Sequence, residues 1–168
     1  MSFRVKIAGI IVKINPRWKP TRVFFKDYLY HSLNKRYDIE IQITDEELKQ
    51  EALTKNIEDV DSKSIEQLLI FENLAILRQL TNKLINHNVL LMHGSATSYK
   101  NQAYVFIAPS GTGKSTHAQL WCDNLKDEVK VINDDKPFIK FINNDIFVNG
   151  RPPAPCNIKA AVKRLVVI

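Results

Sequence analysis

A glycine-rich loop gives this sequence its clearest chemistry. Ala108, Gly113, Lys114 and Ser115 fit the Walker A pattern Ala/Gly-x-x-x-x-Gly-Lys-Ser/Thr, between an apolar stretch and a predicted helix. Glycines at 111 and 113 let backbone amides turn inward without Cβ clashes, which forms an anion-binding nest at a helix N-terminus. Lys114 can then reach phosphate oxygens, and the Ser115 hydroxyl can ligate Mg²⁺. The alternative is a plain glycine turn with a chance lysine. The expected nucleotide-binding residues are Ser110, Gly111, Thr112, Gly113, Lys114, Ser115 and Thr116.

Two neighbouring carboxylates follow the next apolar stretch. The residues VKVI (129–132) lead into Asn133, Asp134 and Asp135. Near a nucleotide, one carboxylate can hold Mg²⁺ and the other can accept a proton from an attacking hydroxyl. Successive strand residues point to opposite faces, so both can serve one site only if the strand ends at Asn133, and we expect that it does. The alternative is an Asn-Asp-Asp turn before Pro137, a composition common in loops.

Three segments of the chain together resemble a known family. MHGSA (92–96), APSGTGKST (108–116) and INDDKP (132–137), in this order and spacing, look like the catalytic domain of HPr kinase/phosphorylase and its bacterial relatives. These proteins belong to the phosphoenolpyruvate carboxykinase-like superfamily, and the similarity covers about residues 88–150. The resemblance implies transfer of the γ-phosphoryl group of ATP, with Mg²⁺, to a hydroxyl that is often a serine. It also implies an α/β fold with a P-loop-containing mixed β-sheet of the HPr kinase/PEP carboxykinase-like type.

The resemblance assigns roles residue by residue. It makes Asp134, Asp135, His93 and Lys114 the catalytic residues, with His93 and its neighbour Gly94 near the acids. It favours Asp134 as the base and Asp135, with Ser115, as the metal partner. For His93 the alternative is a strand-end histidine satisfied by a backbone carbonyl.

Two departures from the family keep other functions open. Residues 1–87 do not look like the amino-terminal domain of the sugar-regulated enzyme, so HPr is a poor candidate for the acceptor. After KRLVVI (163–168), family members continue with substrate-closing elements, so residues 88–168 are expected to be an incomplete P-loop kinase-like domain. One alternative is therefore a nucleotide-binding regulatory or degenerate protein without turnover. Another is a P-loop small-molecule kinase, although 107 residues precede this loop and such kinases usually carry it near the N-terminus. The acceptor is a protein serine or a small molecule, and a homo-oligomer is left open.

The elements around the motifs predict a mixed sheet. We expect strands at 89–93, 96–99, 103–108 and 129–132, and a helix from Ser115 to Lys126. Residues 138–148 read as a hairpin turning at Asn143 and Asn144. The sequence has no LSGGQ-type signature, which excludes a transporter-type ATPase.

The first 87 residues predict a separate α+β unit. We expect one strand over 3–14, a β-rich run around Gly9, and another over 22–30. Residues 37–43 alternate apolar and polar side chains, as does a strand with one wet face. Two capping boxes, Thr44 with Glu47 and Ser64 with Gln67, predict a short helix and a long one that runs to about Asn86. The apolar residues expected to line the long helix are Ile65, Leu68, Leu69, Leu74, Ala75, Ile76, Leu77, Leu80 and Leu84.

Composition bounds the class of protein. The 168 residues are 45% hydrophobic, and no apolar run approaches the roughly 20 residues that span a bilayer. No secretory signal is recognisable at the N-terminus, so we expect a cytoplasmic protein without a membrane partner. Two cysteines, Cys122 and Cys156, are expected to be packing residues. The net charge divides into +8 over residues 1–36, −7 over 37–80 and +5 over the rest. Without a recognition helix or finger we expect no nucleic-acid partner, and the basic segment is expected to dock on the acidic one.

Overall fold

The protein is a mixed α and β chain that divides into two compact units, Met1–His87 and Asn88–Ile168. Its computed structural model describes residues 1–33, 36–57, 60 and 63–149, together with the backbone of a strand over 160–167. The proline-rich segment after Asn149 and Cys156 lie outside the described residues. Within that described part of the chain, no helix is long and apolar enough to cross a membrane.

The first unit contains a three-stranded sheet. Strands β1 (Phe3–Ile7) and β2 (Ile10–Asn15) form an antiparallel hairpin, and β3 (Ile39–Gln42) pairs with β2 in parallel. The hairpin turns at Ala8 and Gly9, both with positive φ, which explains why the β-rich run is interrupted at glycine. The alternation predicted for residues 37–43 is confirmed within β3, where the isoleucines are buried.

Both predicted capping boxes are present, and each begins a helix of the first unit. Helix α2 (Asp45–Leu53) starts after Thr44, and α3 (Ile65–Leu84) starts after Ser64, with both reciprocal hydrogen bonds formed at each N-terminus. The buried residues of α3 recur at helical spacing. They are Phe71, Glu72, Ala75, Ile76, Leu80 and Leu84. Ile65, expected in the buried stripe, is 45% exposed because it lies in the first turn.

The prediction of a strand over residues 22–30 is wrong. Instead the chain forms a helical turn, α1 (Thr21–Phe24), followed by a 3-10 turn over Lys26–Tyr28. Pro20 carries helical backbone angles, φ −60° and ψ −23°, and its carbonyl accepts from the Val23 amide at 2.9 Å. Thr21 and Phe25, four residues apart, are buried on one side, so helical spacing here overrides the strand propensity of the aromatic run.

The basic and acidic segments of the first unit contact each other, as expected. Lys13 Nζ lies 2.7 Å from Glu40 Oε1, and Arg17 Nη1 lies 2.5 Å from Asp45 Oδ1. The buried carboxylate of Glu72 accepts hydrogen bonds from the Arg17 amide and the Thr21 hydroxyl. These contacts tie the segment after β2 to the helices.

Within its described residues, the second unit is a seven-stranded sheet with one α-helix. In chain order its elements are β4 (Val89–Leu91), β5 (Ser95–Tyr99), β6 (Gln102–Ile107), α4 (Lys114–Leu125), β7 (Val129–Asn133), β8 (Phe138–Ile142), β9 (Asp145–Asn149) and β10 (Ala160–Val167). In space the strands run β4-β8-β9-β10-β6-β5-β7. Strand β10 is parallel to β6, whereas the other neighbouring pairs are antiparallel. The sheet is therefore mixed, and the predicted strands, helix and β8–β9 hairpin are present.

The two faces of this sheet have different neighbours. One face carries a hydrophobic core that includes Ala96, Val105 and Ile132. On the opposite face, which we call the α4 face, the Phe106 ring lies 5.4 Å from the ring of Trp121 on α4. Strand residues directly opposite each other share a face, so their pairing shows which side chains face α4.

Candidate functional site

The two glycines of the glycine-rich loop have left-handed backbone angles. Gly111 and Gly113 have φ of +81° and +91°, in the left-handed region that favours glycine. Nothing lies within 4 Å of the position that a Cβ would take on either residue. Gly113 is the N-cap of α4, and its carbonyl accepts the first helical hydrogen bond from the His117 amide at 2.8 Å. The loop therefore opens directly onto a helix N-terminus, where unpaired amides favour anions.

Lys114 is nearly buried and turns back onto its own loop. Its Nζ donates to the carbonyl oxygens of Ala108 at 2.9 Å and Pro109 at 3.0 Å. The side chain of Lys114 is thus held at the loop that it would serve. Ser110, Ser115 and Thr116 are exposed around it.

Strand β7 ends at Asn133, as predicted, and the two aspartates lie in the bend that follows. The Asn133 side chain shapes this bend, because its Oδ1 accepts from the amides of Asp135 at 3.0 Å and Lys136 at 2.9 Å. Such a side-chain turn fixes the backbone on which both carboxylates are mounted. Asp134 and Asp135 are both exposed.

Residues at the start of β5 donate hydrogen bonds to the same bend. Ser95 Oγ donates to Asp134 Oδ1 at 2.7 Å, and the Gly94 amide donates to the Asp135 carbonyl at 3.0 Å. His93 Nε2 lies 3.8 Å from Asp135 Oδ1. The predicted His93 and acid pair are therefore brought together, although the histidine lies beside Asp135 and not beside Asp134.

Gly94 is required by a close approach and not by its backbone angles. A Cβ built on Gly94 would stand 2.8 Å from the Phe106 carbonyl oxygen on the neighbouring strand β6. No side chain is tolerated there without movement of a backbone atom. The glycine lets the His93–Ser95 segment lie against the end of β6.

The loop and the acid bend lie at one edge of the sheet. Strand β5 is antiparallel to both β6 and β7, so β6 and β7 run in the same direction. The loop follows the carboxyl end of β6 and the bend follows the carboxyl end of β7, with the start of β5 between them. Because neighbouring strands are about 4.8 Å apart, the two strand ends are separated by roughly 10 Å. Side chains of ordinary length can converge across that distance.

No family model matches the chain, and a search of curated proteins gives no match. Within the described residues, no three His, Cys, Asp or Glu side chains form a group that could hold a metal ion by themselves. The likeness to HPr kinase therefore rests on the three sequence segments alone.

Two residues of this site were not assigned from the sequence. Ser95 is fully buried and contacts Asp134, and Asn133 shapes the bend. An asparagine before a polar turn is a recognisable signal for the second contact. The first depends on the pairing of β5 with its neighbours, for which the sequence offers no local signal.

Proposed function

We propose that the unit Asn88–Ile168 binds Mg²⁺·ATP and transfers the γ-phosphoryl group to a hydroxyl acceptor, in the manner of HPr kinase-like proteins. One observation carries the proposal: a glycine-rich loop with two left-handed glycines and a bend with two carboxylates follow strands that end at one sheet edge. Phosphoryl transfer needs positioned phosphates, a metal and a base near each other, and little other protein chemistry. The proposed acceptor is the hydroxyl of a protein serine or of a small molecule. The proposed location of this ATP-dependent enzyme is the cytoplasm.

The loop residues suit the phosphates. The open space at the Cβ positions of Gly111 and Gly113 leaves room for a phosphate beside the loop backbone. Lys114 adds a charge that can exchange its two carbonyl partners for phosphate oxygens. On this proposal Ser110–Thr116 is a P-loop.

The metal requires few protein ligands. In nucleotide sites Mg²⁺ keeps several waters and is bound by one or two carboxylates plus the substrate phosphates. Ser115, at the start of α4, and Asp135 are the ligands that the resemblance implies. When bound, Mg²⁺ supplies charge neutralisation on the phosphoryl oxygens.

Asp134 and Asp135 divide the remaining roles. The resemblance makes Asp134 the base, and the hydrogen bond from Ser95 holds its carboxylate. The base is expected on the side of His93 and the acceptor hydroxyl, so the 3.8 Å approach of His93 Nε2 to Asp135 Oδ1 favours the reverse assignment. Single substitutions decide between the two assignments, because the base matters in the transition state whereas the metal ligand matters for binding as well.

Calorimetry of Mg²⁺·ATP binding tests the loop. Lys114→Ala is expected to weaken binding by about 1.5–3 kcal/mol, roughly ten- to a hundredfold in Kd, through loss of a charge-assisted phosphate contact. Lys130→Ala, at an exposed lysine of β7, is the matched control and should bind like wild type. Equal affinity of wild type and Lys114→Ala would remove the P-loop assignment.

Release of phosphate from γ-labelled ATP tests the acids, with water as the acceptor. The variant that loses the base should keep its Mg²⁺·ATP affinity and lose turnover, and the variant that loses the metal partner should lose both. Asp134→Asn and Asp135→Asn are compared with Asp127→Asn, an exposed aspartate after α4. If neither bend variant differs from the control in binding or turnover, the pair is only a turn. Binding without turnover in the wild type would favour the regulatory alternative.

A further inference from the structure

We propose that Ser95 is a positioning residue that holds the Asp134 carboxylate on the α4 face of the sheet. The functional part of this proposal, that the position matters for phosphoryl transfer, rests on the proposed function. Ser95 is fully buried, and its Oγ donates to Asp134 Oδ1 at 2.7 Å, a normal hydrogen-bond distance between a hydroxyl and a carboxylate.

Strand pairing shows why Ser95 is suited to this task. Ser95 lies directly opposite Phe106 in the β5–β6 pair, and the Phe106 ring packs 4.7 Å from the ring of His117 in the first turns of α4. The Ser95 hydroxyl is therefore on the α4 face, on the same side as the helix whose N-terminus carries the glycine-rich loop. A carboxylate bound to this hydroxyl is drawn to that side.

A kink in β7 brings Asp134 to the same side. Thr97 pairs with Val131 but Ala96 pairs with Asn133, so Ile132 is an extra residue, as in a β-bulge. Asn133 consequently shares the core face with Ala96, and the carboxylate of Asp134, in the bend that follows, meets Ser95 on the α4 face. Without the extra residue, Asn133 would itself lie opposite Ser95 on the α4 face.

An exposed aspartate has several side-chain rotamers open to it unless a contact selects one. Asp134 is exposed, whereas the hydroxyl that binds it is buried and fixed by the strand. The serine therefore restricts the aspartate more than the aspartate restricts the serine. Loss of the hydroxyl leaves Asp134 free to be hydrated in other orientations.

The first experiment measures orientation without activity. Three-bond couplings to the Asp134 Cγ report its χ1 rotamer by NMR. We expect one dominant rotamer in the wild type, averaged values in Ser95→Ala, and a return to one rotamer in Ser95→Thr, which restores a hydroxyl. Ser98→Ala removes a buried hydroxyl from the opposite face of the same strand and should leave the Asp134 couplings unchanged. Unchanged couplings in Ser95→Ala would overturn the proposal.

The second experiment measures phosphate release in the same variants. Ser95→Ala is expected to lower kcat on the order of ten- to a hundredfold, the cost typical of losing a partner that orients a metal ligand. Mg²⁺·ATP affinity should be kept if Asp134 is the base and should fall as well if Asp134 is the metal partner. Ser95→Thr should recover most of the rate, and Ser98→Ala should match wild type. Averaged Asp134 rotamers without a fall in kcat would refute the functional role. A wild type without any turnover would count against the proposed function, and the coupling measurement would still decide whether Ser95 positions Asp134.

Discussion

Gly94→Ala tests whether the His93–Ser95 segment lies as close to β6 as the structure has it. The new Cβ would stand 2.8 Å from the Phe106 carbonyl oxygen, and ordinary contact begins at 3.4 Å, so the two backbones must separate by about 0.6 Å. The contacted atom belongs to the backbone of an interior strand and cannot rotate away. Overpacking of this kind costs about 1–3 kcal/mol. Replacing glycine by alanine returns about 0.4–1 kcal/mol by restricting the unfolded chain, which leaves a net loss centred on about 1.3 kcal/mol, within a range of roughly 0–2.6 kcal/mol.

The assay must report on the second unit alone, because a two-unit chain need not unfold in one step. Trp18 and Trp121 are the two tryptophans, one in each unit. In a Trp18→Phe background, fluorescence reports on Trp121, whose ring lies 5.4 Å from that of Phe106. Urea unfolding should then show a lower midpoint for Gly94→Ala with an unchanged slope. Amide exchange at Ser95 and Phe106, which are directly paired, should become faster.

Gly111→Ala is the contrasting variant. It meets no atom within 4 Å but has a φ of +81°, so it should cost about 1 kcal/mol through backbone strain and leave exchange at the Ser95 and Phe106 pair unchanged. Gly94→Ala is also compared directly with wild type: if it unfolds at the same or a higher urea concentration than wild type, and the paired amides keep their protection, the claim that Gly94 lies too close to β6 for a side chain is refuted.

Two further predictions concern the first unit. Glu72→Ala should lower the free energy of unfolding by about 1–3 kcal/mol, because the Arg17 amide and the Thr21 hydroxyl lose the buried carboxylate that accepts from both. Exposed Glu46→Ala is the control, and equal thermal unfolding of the two variants by circular dichroism would contradict this prediction. Hydrogen bonds from Lys13, Asn15 and Tyr37 lower the pKa of Glu40 from 4.5 to about 2, so this carboxylate stabilises the fold above about pH 4.5, and that contribution is lost as the pH falls towards 2. The urea midpoints of wild type and Glu40→Gln should therefore converge as the pH falls through this window, and the difference between them should be smaller in high salt. Midpoints of the two proteins that change in parallel with pH would exclude the effect.

The features that the sequence predicted well depend on neighbours in the chain. A capping box is a contact between residues three apart, and both boxes formed at Thr44 and Ser64. Period-two alternation needs only one wet face, and it located β3. The left-handed φ values at Gly111 and Gly113 follow from the same kind of local pattern.

The prediction of a strand over residues 22–30 was wrong because the strand propensity of these residues and their tertiary contacts favour different conformations. Aromatic and β-branched residues favour strands. Two tertiary contacts made at helical spacing outweigh that preference here: the Thr21 hydroxyl donates to the Glu72 carboxylate, and the Phe25 ring lies 5.9 Å from the ring of Phe3. Neither partner is near in sequence. The local propensity of residues 22–30 therefore does not predict the conformation that these contacts determine.

The orientation of the acid pair is the clearest case of a site property that no local pattern encodes. The end of β7 was predictable, because Asn133 begins a polar turn. The side of the sheet that Asp134 contacts was not, because one extra residue in β7, Ile132, shifts Asn133 and the bend after it against β5. That bulge exists only relative to β5, and β5 also supplies the buried Ser95 hydroxyl that receives the carboxylate. The pairing of β5 and β7 thus determines both the direction of Asp134 and its partner, so a change in their register would separate the acid from the α4 face even if every motif residue were retained.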